Sequence, residues 1–537
     1  MLDNGTLNYC WSQAILAGFV AAGVSDAVIS PGSRSTPLAL AMLRQTGLRC
    51  HIAIDERSAA FFALGIAKSS RRPPLLLATS GTAPANWLPA VIEASQAGVP
   101  LILLAADRPP ELQGCGANQT IDQIGLFGPH VRACHAPGTP EPGFDPGYLH
   151  RLAARACEQA QWPLPGPVHI NQPFREPLLP SSAMPPADIP EMIRVSPPAL
   201  LPSPKDVRDF SQRIGGRPGL IVCGEMAANA ETRDAIAALA SNLDCPILAE
   251  PLSGMRFGRH DRSNLCVRYN SWLADPDTAA GLAPEWVLRF GAFPVTRHLQ
   301  NYLTGTGSTH ALVDPWPRWS DPSNRLSHLL RSDPLHFCAA LITADPLPAP
   351  NGWRQRFADL ESGAEARAKE SHVAVLLAAL ADDTAVFVGN SLAIRQMDSD
   401  SGSGSKSIHF HGNRGASGID GNLSTAMGIA ATRGHIVALV GDLTCQHDLG
   451  GLALAQGRNA IIVVVNNAGG GIFDHLPQRN LPEFELGWRT PQQIDFEHAA
   501  LSFGLGYRRA DCLDTFRDSL PAALRAGGPH LIELKLP

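Results

Sequence analysis

His435-Ile-Val-Ala-Leu-Val-Gly-Asp442 and Ala460-Ile-Ile-Val-Val-Val-Asn-Asn467 are two apolar runs, each closed by residues that offer oxygen atoms. Runs of this length, rich in Val and Ile, suit strands buried on both faces of a parallel sheet. Between them, Asp448 to Gln456 is expected to form one crossover helix. A right-handed crossover lays two such strands side by side in the same direction, so Asp442 and Asn467 should emerge at one edge. Gly469-Gly-Gly471 follows, and its freedom lets a main-chain carbonyl turn toward that edge. A carboxylate, an amide oxygen and a carbonyl are hard ligands that suit Mg²⁺, whose shell is usually completed by phosphate oxygens and water. Mn²⁺ would accept the same oxygens. No lysine follows the glycines, so this is not a nucleotide P-loop. A helix cap or an ordinary turn could explain either half alone; the pairing on two buried strands singles them out.

Working outward, the same grammar of short apolar strand, loop and helix recurs. In the first part of the chain, Ala27 to Ser30 leads into Pro31-Gly-Ser-Arg-Ser-Thr-Pro37. Cys50 to Ile54 leads into Asp55-Glu-Arg57, Leu75 to Ala78 into Thr79-Ser-Gly-Thr-Ala-Pro84, and Pro100 to Ala105 into Ala106-Asp-Arg-Pro-Pro110. This predicts a parallel α/β sheet whose ligands sit beyond the carboxyl ends of its strands. A Pro- and Ser-rich stretch, Leu178 to Pro204, reads as a linker. Strands at Leu220 to Cys223, Pro246 to Ala249, Trp286 to Phe290 and Ala311 to Val313 predict a second α/β block. A third begins near Gly352, with a strand at Ala385 to Val388, an exit loop Gly389-Asn-Ser391 and a flexible surface insert at Ser401-Gly-Ser-Gly-Ser405. The domains are therefore drawn at 1–180, 181–350 and 351–537. The first and third look alike in architecture without a sequence repeat.

The bulk composition agrees. A chain of 537 residues is too long for one core and suits about three domains. Hydrophobic residues make up 45%, charged residues 17%, and the net charge is −6. With no run of five or more Lys/Arg, composition makes no electrostatic case for nucleic acid or an anionic membrane. The 11 cysteines are odd in number and lack CxxC spacing, which argues against a disulfide framework or structural zinc and for a reduced, cytoplasmic protein. No signal-like N-terminus or membrane-length apolar run is present. His51, His409 and His411 lie in strand-like segments and read as structural.

Gly441-Asp442 and Asn466-Asn467 with their spacing resemble the cofactor motif of the thiamine diphosphate (ThDP) dependent decarboxylase and synthase superfamily. Five further stretches narrow the resemblance: Ser30-Pro-Gly-Ser-Arg-Ser-Thr-Pro37, Asp55-Glu-Arg57, Ala106-Asp-Arg-Pro-Pro-Glu-Leu112, Gly116-Ala-Asn-Gln-Thr120 and Asn413-Arg-Gly-Ala-Ser-Gly-Ile-Asp-Gly421. Together they are similar to the 2-succinyl-5-enolpyruvyl-6-hydroxy-3-cyclohexene-1-carboxylate synthases of menaquinone and phylloquinone biosynthesis. That family implies a ThDP-binding fold of three doubly wound α/β domains with mainly parallel sheets: pyrimidine, central and diphosphate. It implies decarboxylation of 2-oxoglutarate and conjugate addition of the remaining four-carbon unit to isochorismate. It also implies a homodimer or homotetramer with active sites between chains.

Carried over residue by residue, the resemblance assigns the metal to Asp442, Asn467 and the Gly469 carbonyl. Glu56 is the catalytic acid that meets the cofactor's pyrimidine. Ser391, Ser417, Ile419, Gly441, Leu443, Ile472 and Phe473 complete the cofactor site, with Ile419 beneath the bend of the cofactor. Both substrates are dicarboxylates, which calls for guanidinium and hydroxyl donors. Those implied are Ser33, Arg34, Arg108, Asn118, Gln119, Arg297, Ser391, Arg395 and Arg414, with Ile472, Phe473 and Leu476 as an apolar wall. Arg34 and Arg414, in glycine-containing exit loops, are expected to face a ligand. Many members carry a Lys-Arg pair in the middle domain; Val295-Thr-Arg297 keeps Arg297 but has Thr296 in place of the lysine. An acetohydroxyacid synthase or a 2-oxo acid decarboxylase would share Glu56 and Asp442 but has little use for so many arginines. A catalytically silent scaffold would have no use for either acid.

Overall fold

The central strands are almost wholly apolar and buried on both faces, which is why the chain settles into parallel sheets covered by helices. The computed structural model describes residues 3–182, 188–191 and 193–535. The first sheet holds β1 (Asp26–Ile29), β2 (Arg49–Ile52), β3 (Leu75–Ala78), β4 (Leu101–Asp107), β5 (Ala133–His135) and β6 (Pro167–Pro173). The second holds β7 (Gly219–Cys223), β8 (Ile247–Ala249), β9 (Leu265–Cys266), β10 (Trp286–Phe290), β11 (Thr309–Val313) and β12 (Leu326–Leu330). The third holds β13 (Thr384–Val388), β14 (Ile408–His411), β15 (His435–Gly441), β16 (Asn459–Asn466), β17 (Gly506–Ala510) and β18 (His530–Lys535). All the paired strands run parallel.

The first sheet is ordered β2-β1-β3-β4-β6-β5 and the third β14-β13-β15-β16-β18-β17, which is the same order. Two segments without a shared repeat thus fold identically. In each, the order reverses beside the first strand, leaving a crevice between the exits of β1 and β3, and between those of β13 and β15. Ser33-Arg34 and Ser80 border the first crevice; Asn390-Ser391 and Gly441-Asp442 border the second.

Two expectations need correction. The predicted helix Asp448 to Gln456 is instead a short α-helix, Asp442–His447, followed by a 3-10 stretch, Leu449–Ala455. Glycines at 450 and 451 weaken an α-helix there, and Gly451 lies so close to Ser424 that a Cβ would sit 2.7 Å from its Oγ. The Ser401 to Ser405 segment is not a free insert. Gly404 exchanges backbone hydrogen bonds with Arg256 and Gly258, and Arg256 Nη1 donates to Ser401 Oγ at 2.8 Å. Of the 178–204 linker, residues 183–187 and 192 lie outside those described, and the other residues carry neither helix nor strand until Pro204 opens the helix Pro204–Ile214.

The first and third sheets share one hydrophobic core. Helix Glu56–Ser70 lies on helix Asn422–Arg433, with Phe61 and Phe62 among Leu423, Ala426 and Met427. A Cβ at Gly65 would stand 2.0 Å from Thr425 O, and one at Gly428 2.0 Å from Phe62 O. The helices therefore touch backbone to backbone. Gly428→Ala should lower the thermal unfolding midpoint, at a cost of about 1–3 kcal/mol from overpacking, although alanine is the better helix former. An unchanged or raised midpoint would show that the two helices are free to separate.

Candidate active site

β15 and β16 run in register from His435 opposite Asn459 to Gly441 opposite Val465, so Asp442 and Asn467 leave the sheet one residue apart. Asp442 is 5% exposed. Its Oδ1 accepts from Leu443 N at 2.8 Å, and its Oδ2 from Gly469 N at 2.7 Å. Burial pushes its carboxyl above the usual carboxylate range, against which the Leu443 and Gly469 amides and the Arg489 charge pull it down. A nearby cation would favour the ionised form. Ala468 and Gly469 both take positive φ, 61° and 138°, so the chain doubles back on Asp442. The Gly469 carbonyl also accepts from Gly471 N at 2.9 Å.

The residues expected to hold a metal lie at one sheet edge, with Gly469 bonded to the buried Asp442 carboxylate and Arg489 bonded to Asn467. A Cβ on Gly441 would meet nothing nearer than Thr444 Oγ1 at 4.0 Å, so a phosphate could approach there, whereas Gly469, Gly470 and Gly471 are hemmed in on every side. Among the described residues no group of three or more His, Cys, Asp or Glu could hold a metal. These residues fit a divalent cation holding a diphosphate.

Sequence reasoning missed Arg489, which ends a π-helical turn, Glu485–Arg489. Its Nη2 donates to Asn467 O at 2.6 Å and its Nη1 to Asn467 Oδ1 at 3.4 Å, while its carbonyl accepts from Gly470 N at 2.7 Å. An isolated arginine beyond the motif gives no periodic or spacing signal. Ile472 and Phe473, on the 3-10 turn Gly471–His475, and Leu476 just after it are all half-buried.

The arginines fall into two groups. Arg297 opens the helix Arg297–Gly305 of the second sheet, and Arg395 lies on the helix Leu392–Asp400 after Ser391. Burial first, then the charges of Arg414 and Arg297, make protonation of Arg395 less favourable, so these three guanidiniums share one field. Ser391 holds φ 65° at the switch point and accepts Arg395 Nη1 on its carbonyl at 2.7 Å. Such a non-glycine position stores backbone strain and is typical of a ligand site. Arg414 Nη1 donates to Asn390 Oδ1 at 2.6 Å, and its buried Nε has no partner. Thr296 precedes the Arg297 helix at its N-cap position without a side-chain cap, and is buried with its hydroxyl unpartnered.

The second group lies at the first sheet. Arg108 Nη1 donates to Gln119 O at 2.9 Å and to Ser80 Oγ, while Gln119 Nε2 donates to Ser80 O at 3.0 Å. Burial and the nearby Arg34 lower the Arg108 pKa. Ser33 and Asn118 are exposed beside them. Arg34 departs from expectation: it is 7% exposed, and its head is spent on Phe174 O at 3.0 Å and Glu176 Oε1 at 2.8 Å, although its Nε is unpartnered. Strand β6, which sequence reasoning did not predict, brings those acceptors in.

Glu56 is the first residue of its helix, behind the N-cap Asp55, whose Oδ1 accepts Arg57 N at 2.9 Å. It is half-buried. Around it Ile52 and Ile54 are 55% and 86% exposed, an apolar surface at the strand exit. Ser417, with φ 63°, and Ile419 lie on the loop before helix Asn422–Arg433. His51 and His409 are held by Asp26 at 3.1 Å and Asp383 at 2.7 Å.

Two regions match known families: residues 11–126 the thiamine pyrophosphate enzyme N-terminal TPP binding domain, and residues 403–534 the corresponding C-terminal TPP binding domain. The chain is 66% identical over 535 residues, 100% of both chains, to a 2-succinyl-5-enolpyruvyl-6-hydroxy-3-cyclohexene-1-carboxylate synthase of Dechloromonas aromatica (strain RCB). The chain belongs to the 2-succinyl-5-enolpyruvyl-6-hydroxy-3-cyclohexene-1-carboxylate synthase family. It is a ThDP-dependent enzyme. A synthase of the same name from Geobacillus thermodenitrificans (strain NG80-2) is 40% identical over 545 residues, 97% of this chain and 92% of that relative. Benzoylformate decarboxylase from Polynucleobacter necessarius shares the fold, with a TM-score of 0.73 at 20% identity over 98% of each chain. Among the described residues no helix is long and apolar enough to cross a membrane.

Away from these residues, Asp448 gave no signal in the sequence. It is buried, accepts from Ser424 N at 2.7 Å and Ser424 Oγ at 2.9 Å, and burial pushes its carboxyl up to about 7. A carboxyl raised on folding holds its proton longer in the native state, so stability falls as pH rises from the unfolded value near 3.8 through about 7. Asp448→Asn should therefore gain stability relative to wild type between pH 4 and pH 8, by up to about 4 kcal/mol at about 1.4 kcal/mol per pKa unit. Thermal melts of both proteins across this range test it; parallel curves would contradict the assignment.

Proposed function

We propose that the chain catalyses ThDP- and Mg²⁺-dependent decarboxylation of 2-oxoglutarate and conjugate addition of the four-carbon unit to isochorismate. The products are 2-succinyl-5-enolpyruvyl-6-hydroxy-3-cyclohexene-1-carboxylate and CO₂. The observation that carries this reading is the convergence of Arg297, Arg395 and Arg414 from two domains near a strained Ser391, beside the Asp442–Asn467 edge. Simple 2-oxo acid chemistry needs one carboxylate contact; two dicarboxylate substrates need several, and guanidinium forks meet carboxylates bidentately. The 66% identity to the Dechloromonas synthase supports the same assignment.

When bound, ThDP supplies a nucleophilic carbon that accepts the 2-oxo acid and stabilises the charge left by CO₂. Asp442, the Asn467 amide and the Gly469 carbonyl would hold the divalent cation. Gly441 and Leu443 would border the diphosphate, and Ser391, Ser417 and Ile419 the rings. Glu56 would share a proton with the pyrimidine ring nitrogen, setting its tautomer. Ile472, Phe473 and Leu476 would keep water from the reacting carbon. Ser33, Arg34, Arg108, Asn118 and Gln119 would line the pocket from the other sheet.

Residues 1–180 would serve as the pyrimidine domain, 181–350 as the central domain and 351–537 as the diphosphate domain. The exposed Ile52 and Ile54 beside Glu56 favour a second copy of the chain seated there, in a homodimer or a pair of dimers, so that Glu56 of one protomer serves the cofactor held by its partner.

With purified protein, ThDP, Mg²⁺, 2-oxoglutarate and isochorismate, the isochorismate absorbance should fall, and should stay constant when any component is left out. Turnover of pyruvate without isochorismate would refute the substrate assignment. Glu56→Gln should lower kcat by about 10²–10⁴-fold, the range for a lost proton-transfer group, with cofactor affinity kept. A chelator should abolish ThDP binding in a calorimetric titration, and Mg²⁺ or Mn²⁺ should restore it. Binding of equal affinity in chelator would remove Asp442 and Asn467 from the metal role.

A further inference from the structure

The loop Asn413 to Gly421 carries Arg414, Ser417 and Ile419, yet little within its own domain holds its tip. Asn390 Nδ2 ties the two ends of the segment, donating to Asn413 O at 2.8 Å and Gly418 O at 2.6 Å. The tip is held from the first domain. Glu93, on helix Leu88–Ala97, is 2% exposed. Its Oε1 accepts from Gly415 N at 2.9 Å, and its Oε2 from Ala416 N at 2.6 Å and Ser417 N at 3.4 Å. Three successive amides converge on one carboxylate, the backbone arrangement that binds anions. Gly415 lies flat on the helix: a Cβ there would stand 2.5 Å from Glu93 O and 2.7 Å from Ala97 N. Lys68, also buried, completes the contact, with Nζ 3.8 Å from Glu93 Oε1 and donating to Gly412 O at 2.7 Å.

Glu93 is the only charged residue on a helix reading Leu88-Pro-Ala-Val-Ile-Glu-Ala-Ser-Gln-Ala97. A carboxylate buried there without partners would be costly, and these amides satisfy it. Apart from the ion pair with Lys68, its hydrogen bonds go to a loop that belongs to the third sheet.

We propose that Glu93 is a positioning residue, whose carboxylate, gripped by the amides of Gly415, Ala416 and Ser417, sets the loop that presents Arg414 to substrate and Ile419 to cofactor. This rests on the reading of that loop as part of the ThDP and dicarboxylate site. Glutamine keeps the shape but turns an N–H₂ toward at least one of the three amides. Aspartate keeps the charge on a shorter stem.

The test compares wild type, Glu93→Gln and Glu93→Asp by hydrogen exchange at residues 415–417, calorimetric titration with ThDP in Mg²⁺, and kcat/KM corrected for folded fraction by circular dichroism. In Glu93→Gln the three amides should exchange at least about tenfold faster, ThDP affinity should fall about tenfold and kcat/KM about 100-fold, the loss expected for a charged hydrogen-bond acceptor. Glu93→Asp should recover part of each. Affinity and kcat/KM within twofold of wild type in Glu93→Gln overturn the proposal. So does a loss accounted for entirely by the unfolded fraction. Should Glu93→Gln fail to fold, Glu93→Asp decides by the same criteria. Wild type that neither binds ThDP nor turns over would instead refute the functional reading, while the exchange data would still report on the Glu93 contact.

Discussion

At Gly65 and Gly428 two helices come to backbone distance, with no side chain between them. One helix begins at Glu56, and the other is entered through the loop bearing Arg414 and Ile419. Their contact merges the cores of the first and third sheets, so the two parts cannot shift independently without opening a well-packed apolar interior. Each chain therefore carries the acid and the loop on a single rigid body, the condition for the proposed sites between protomers, where one chain's acid must meet its partner's loop to within a fraction of an ångström.

The second sheet is tied on by polar means. Arg256, wholly buried, reaches Ala249 O at 2.7 Å, Asp398 O at 2.7 Å and the Asp398 carboxylate; Tyr269 and Asn270 also donate to that carboxylate, at 2.6 and 2.7 Å. Asp398 stands on the same helix as Arg395. Glu250 accepts Val295 N at 2.6 Å close to Arg297, and burial together with the Asp398 charge raises its carboxyl to about 8. Buried networks of this kind add little net stability and much geometric definition when every member is satisfied. Their place here, behind two arginines of the same cluster, matches that role.

The parts of the fold legible in the sequence were those with a local signature. β15 and β16 were plain from unbroken apolar runs, and their exits from Gly-Asp and Asn-Asn. β6 was missed because Pro167-Val-His-Ile-Asn-Gln-Pro173 mixes polar residues into a buried strand, and Asn171 and Gln172 find most of their partners far along the chain, among them Asp107, Trp11 and Gly138. The crossover helix was misjudged because its glycines answer to Ser424, Asp55 and Ser58, contacts remote in sequence. Arg34 was expected to face a ligand; that it also meets acceptors just after β6 could not be read from its own loop.

The sequence alone determined the fold class and the Asp442–Asn467 edge, because apolar periodicity, glycine placement and residue type act over a few positions. Tertiary structure decided which arginines share a field, that Arg489 bonds to Asn467, that a buried Asp448 meets Ser424, and that Glu93 grips a loop more than three hundred residues away. Hydrogen bonds and electrostatic fields depend on distance through space, and chain order places no mark on groups that meet only after the sheets have packed.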